Sequence, residues 1–126
     1  MAKSSFARFA TEAFDRMLEL AAREEDAVKV ASALATLHKI VFLDVLPPEK
    51  LSRVAEVART RMASTQAPMV WLAATELGVA TGDPQIRWMV EGVASGAIWP
   101  AFFDREDLRL WVRTAARKAL GRAPCP

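Results

Sequence analysis

Apolar residues recur at three- and four-residue steps along nearly the whole chain, and Pro, Gly and Asp cut the runs every dozen to twenty residues or so. That step matches the turn of an α-helix, whereas a half-buried strand needs strict alternation. Tyr is absent and β-branched residues are sparse, so no segment reads as a strand. For 126 residues the expected fold is all-α, with about six helices. Residues 1–121 form one helical domain in this reading, and 122–126, with the single Cys (Cys125), form a flexible tail.

The punctuation sets the expected helices. Ser4 or Ser5 can cap the first, whose apolar face is Phe6, Phe9, Ala13, Met17 and Leu20, and Glu24-Glu25-Asp26 frays its end. The second runs from Ala27 to Leu46, because Pro47-Pro48 disfavours helical geometry in the residue before it. Pro48 opens the third, which reaches Ala63 with Leu51, Val54, Ala55, Ala58 and Met62 inward and Lys50, Arg53, Glu56 and Arg59 opposite. The fourth starts at Thr65 to Pro68, weakens at Gly78 and stops at Gly82. Asp83-Pro84 restarts the chain, and the fifth helix ends near Gly96. Trp88 lies between Ile86 and Met89-Val90, so this fifth helix reads as apolar almost all round, hence buried in the fold or against another chain. Asp104 caps a sixth helix, Arg105 to Leu120, with Phe103 and Leu108 at hydrophobic-staple spacing and Gly121 as the stop. Trp71 and Trp111 take core positions.

The stretch from Pro68 to Gly78, followed by Gly82-Asp-Pro-Gln-Ile-Arg87, resembles HEAT-type helical repeats, which place Asp-Pro-x-Val/Ile-Arg at the turn into a helix. Val112 to Gly121 is similar to the Ala-Leu-Gly ending of such repeats, Asp26 to Leu37 is a looser third case, and Glu76–Gly82 is echoed by Glu91–Gly96. The resemblance implies stacked helix pairs in which an Asp cap and an Arg meet across units, and a scaffold with a binding surface in place of a reaction. Two architectures stay open, a short HEAT-like α-solenoid and an irregular helical bundle.

The sequence gives catalysis little support. His38 is the only His, on the apolar face of the second helix, and a general base there needs a carboxylate from another helix, such as Glu12 or Asp15. The Ser residues lack a nucleophile-elbow setting, no His pair or acidic cluster has metal-ligand spacing, and the Gly residues form no phosphate-cradling loop. The expectation is therefore no enzyme, no cofactor and no metal. Uncharged stretches are too short to span a bilayer, and Lys3 and Arg8 followed by Glu12 and Asp15 do not read as a signal peptide, so a cytoplasmic, reducing location is expected.

Two features point to binding. Arg105, Arg109, Arg113 and Arg117 repeat every four residues and sweep a sector of about 120° on the last helix. Trp99, Phe102 and Trp88 form the candidate apolar anchors. The leading reading is a helical protein-protein interaction or scaffold module, self-associating or binding another protein through this aromatic patch and the Arg-lined helix. The alternative is a small nucleic-acid-binding protein, or a subunit of a nucleoprotein complex, that sets the Arg row on phosphates, although the net charge is only +2. Leu72 to Val79 before Ile86-Arg87-Trp88 is faintly similar to a helix-turn-helix, but its turn is too long and its second helix offers few groove-reading side chains.

Overall fold

The Pro, Gly and Asp punctuation divides the chain into six helices: α1 (Ala2–Arg23), α2 (Ala27–Phe42), α3 (Pro48–Ser64), α4 (Pro68–Ala80), α5 (Pro84–Ser95) and α6 (Glu106–Arg122). The computed structural model describes residues 2–100, 103 and 105–122, and of residues 2–7, 9–11 and 122 the backbone alone. The expected Ser4/Ser5 and Asp104 caps, and the tail with Cys125, lie outside the described residues and side chains. The fold is all-α, with no strand among the described residues.

Successive helices pair as hairpins, α1 with α2, α3 with α4 and α5 with α6. The hairpins stack because α4 packs on both α2 and α6, while α1 packs on α3. The central element is thus α4. Val70, Trp71, Ala74, Thr75, Leu77, Gly78 and Val79 are buried over more than half its circumference, and Leu72, Ala73 and Glu76 on the remaining sector are half-buried. The most buried helix is α4, and within the fold α5 is not buried all round as its apolar residues suggest. Ile86, Val90, Val93 and Ala94 bury one face of α5, while Trp88 on the other is 68% exposed.

Gly78 does not end α4. It is buried where α4 meets its neighbours most closely: a Cβ there would come within 2.9 Å of Ile86 Cγ2 and 3.5 Å of Ala58 Cβ. Trp71 fills the centre, edge-on to Phe103 at 6.2 Å between ring centroids. Trp111 is not core. It is 37% exposed, because it sits at the margin of the α6 face that buries Val112, Ala115, Ala116 and Ala119.

Helix ends follow local chemistry. Asp26 caps α2 by accepting from Val28 N. That helix stops at Phe42, four residues before the expected end, where Leu43 closes it and Asp44 turns left-handed at φ 56°. Asp tolerates that conformation better than most residues. Val45 is therefore partly exposed beyond the helix. At the other end of the chain, α6 continues through Gly121 to Arg122.

Asp83 ties two hairpins together. Its Oδ1 accepts from Gln85 N and Ile86 N at 2.8 and 3.3 Å, and its Oδ2 takes Arg59 Nη1 of α3 at 2.7 Å. An Asp cap thus meets an Arg across units, but from Arg59, since Arg87 pairs with Glu91 one turn on in its own helix. Asp83→Ala is expected to lower stability by about 1–2 kcal/mol. Asp83→Asn keeps the cap and loses the ion pair, so it should cost well under half as much, a difference that paired urea titrations resolve.

Candidate interaction face

The end of α5 builds the site. Gly96 closes the helix at φ 80°, and the amides of Ala97 and Ile98 turn back to donate to Gly92 O at 2.9 and 3.2 Å. This folds Ile98 over Gly92, where a Cβ would meet Ile98 Cγ1 at 2.8 Å. The chain then delivers Trp99. A groove of about 260 Å³ opens beside it, lined chiefly by Met62, Trp71, Met89, Val93, Ile98 and Trp99. The lining is almost wholly apolar, so it offers dispersion and dehydration to an occupant, not chemistry.

The Arg row lies across the other side of Trp99, and it is not a line of free cations. The Arg109 guanidinium sits over the Trp99 ring at 5.4 Å from its centroid, a cation–π contact, with a buried Nε that has no hydrogen-bond partner. Arg113 and Arg117 each donate Nε–H to Ala94 O at 3.2 Å. Ala94 is in the last turn of α5, where carbonyls lack helical partners and the helix dipole is negative. Two members of the row therefore fasten α6 to the end of α5. Arg105 stands apart, bound to Asp107 at 2.9 Å in solvent.

Of the residues singled out from sequence, Trp99, Arg109 and Arg113 come together: Arg113 and Trp99 both lie within about 4 Å of where a Gly96 Cβ would stand. Arg117 joins them through the shared carbonyl. Trp88 lies farther round α5, one turn before Gly92 and hence beside Ile98. Phe102 lies outside the described residues. Sequence reasoning missed Met62 and Met89 as groove walls and Ile98 as the lid on Gly92. A Gly in mid-helix followed six residues later by Ile gave the only hint.

His38 lies at the opposite end, in a shallow depression with Lys39, Phe42 and Leu43, and joins neither Glu12 nor Asp15 by hydrogen bond or ion pair. Phe42 there is 85% exposed. No group of three or more metal-ligating side chains occurs among the described residues, and none of their helices is long and apolar enough to cross a membrane. No protein-family model, curated protein or solved structure matches the chain.

Proposed function

We propose that this chain is a helical interaction module that works by shape, binding a protein partner through the face formed by α5, residues 97–100 and the start of α6. Three hairpins stacked through α4 on α2 and α6 suit the stacked helix pairs that the HEAT-type resemblance implies, and in such stacks the terminal unit is normally polar on its outer side. Here the terminal hairpin instead exposes Trp88 and Leu110, each at 68%. The observation that carries the reading is the apolar groove beside Trp99, which leaves a half-buried indole braced by Arg109 on one side and open to an occupant on the other. Trp99 and Trp88 anchor the partner by burial, and Arg109 holds Trp99 in place.

The nucleic-acid reading draws no comparable support. The row it depends on is turned toward Asp107, Trp99 and the Ala94 carbonyl, which leaves fewer donors for phosphates.

Affinity capture with the tagged chain, with and without nuclease, tests this reading. A partner should survive nuclease and be lost on Trp99→Ala by about 30-fold or more, while Arg113→Gln weakens capture only slightly. A capture that disappears with nuclease and ignores Trp99→Ala contradicts the proposal.

A further inference from the structure

The last helix carries the most concentrated positive charge in the chain. Arg109, Arg113, Arg117, Lys118 and Arg122 follow Asp107, and residues 108–122 include no acid. The whole chain carries only +2, so the rest of it is net acidic. Positive potential is gathered on one element.

Two of these cations are held together. Arg113 and Arg117 each bring Nε to 3.2 Å from the same acceptor, Ala94 O. The C-terminal end of a helix presents about half a negative unit. Two guanidiniums exceed that by more than one unit, and neither forms an ion pair with a carboxylate among the described residues. The acids nearest in sequence are committed elsewhere: Glu91 of α5 binds Arg87 at 3.2 Å, and Asp107 of α6 binds Arg105 at 2.9 Å. One arginine suffices to close α5. The second adds like-charge repulsion to the folded chain, which an anion between the two forks relieves.

The tether also sets the geometry. With Nε–H placed on Ala94 O, each fork keeps its Nη groups for another acceptor. Planar forks held in this way suit an oxyanion with several acceptor oxygens, and little of their freedom is lost on binding. Arg117 is exposed and Arg113 half-buried, so the pair is open to solvent on one side.

The charge surplus selects the anion. A phosphate monoester carries about −1.5 to −2 near neutral pH, whereas each diester link of a nucleic acid carries a single charge. A nucleic acid would also need the Arg row in series, and Arg105 and Arg109 are engaged by Asp107 and Trp99. Beside Arg113, Trp99 and Leu110 line a shallow concavity, which offers apolar surface to the carbon part of an ester.

We propose that Arg113 and Arg117 form a binding site for a phosphate monoester, with the phosphoryl oxygens on the two forks and the carbon part toward Trp99 and Leu110. The site lies on the Arg109 side of Trp99. It is independent of the apolar groove that carries the interaction-module reading, so either can fail without the other.

Proton–nitrogen magnetic resonance of the labelled full chain tests it, read at the arginine Nε–H signals. Phenyl phosphate should shift Arg113 and Arg117 along a saturating curve with a dissociation constant of about 1 mM or below. Inorganic phosphate should bind the same pair more weakly, because it lacks the ring. Dimethyl phosphate, a singly charged diester, and chloride at equal ionic strength should bind at least about 10-fold more weakly than phenyl phosphate. Arg117→Gln removes one fork from an exposed position while Arg113 still closes α5. It should keep the helicity seen by circular dichroism and lower the affinity about 10-fold. Arg105→Gln should leave the affinity unchanged. Shifts that do not saturate, equal binding of dimethyl phosphate or chloride, or an Arg105→Gln effect as large as that of Arg117→Gln overturns the proposal. A single-stranded oligonucleotide that binds more tightly than phenyl phosphate and shifts Arg105 and Arg109 as well would return the row to the nucleic-acid reading.

Discussion

Trp71→Ala is expected to cost about 3–5 kcal/mol, seen as a lower urea midpoint with little change of slope. Domains of this kind are stable by about 5–15 kcal/mol in total, so the variant would give up a large share of its stability. The size of the effect follows from position. Trp71 is almost fully buried, meets Phe103 edge-on, and belongs to the helix that touches α2, α3, α5 and α6. An indole removed there leaves a cavity beside Phe103 and the groove walls Met62 and Met89, which different helices hold in place, so the site cannot simply collapse. Hydrogen exchange should therefore quicken across the described core together. Trp71→Phe, which keeps an aromatic ring against Phe103, should lose clearly less.

The second large effect is expected at Arg61, a residue that the periodicity places on no apolar face. Its Nε donates to Ala21 O at 2.6 Å and its Nη2 to Glu24 O at 2.7 Å, so one guanidinium fork closes the end of α1 from α3. The need for it is visible in the sequence around it. Glu24, Glu25 and Asp26 crowd a helix end whose dipole is already negative, and a cation there offsets both. Arg61→Met keeps most of the aliphatic stem and removes both bonds, and should cost about 2–3 kcal/mol. Arg61→Lys should recover little of this, because an ammonium lacks the planar fork that reaches two carbonyls at once. Exchange should rise first in the last turns of α1, ahead of α4. A Lys variant as stable as the wild type would contradict this account of the α1–α3 contact.

Both cases show which parts of the fold are legible in the chain. Helix starts at Asp26, Pro48 and Asp83, and the stop at Gly96, are set by groups within a few residues, and the structure has them where the sequence reading expects them. The end of α2 is less legible. Pro47-Pro48 marks the latest residue at which the helix can stop, whereas the left-handed turn at Asp44 stops it earlier. Periodicity places Trp71 and Trp111 alike on inner faces, yet one is at the centre and the other at a margin, because spacing gives a direction and not a depth. The burial of α4 was readable in its own composition, since Thr75 and Glu76 are its only polar side chains.

The site divides in the same way. The four-residue Arg spacing is a local fact, and it sets Arg109, Arg113 and Arg117 along one side of α6, with Arg105 just before the helix. Its destination is tertiary: the carbonyl of Ala94, nineteen residues before Arg113, accepts from two of its members. Trp99 stands out as an aromatic residue in an irregular apolar segment. The groove beside it depends on Met62 from α3 and Met89 from α5, which no spacing along the chain connects.

Among the described residues, Trp88 and Trp99 form one exposed aromatic face and Phe42, the more exposed, stands on another. Photo-crosslinking separates them directly. A photoreactive side chain is placed at position 88 in one chain and at position 42 in another, and each is irradiated in cells. The account predicts a discrete adduct from position 88, absent when Trp99→Ala is added, and background alone from position 42. An adduct from position 42 with none from position 88 would contradict it, and would move the interaction to the end of α2.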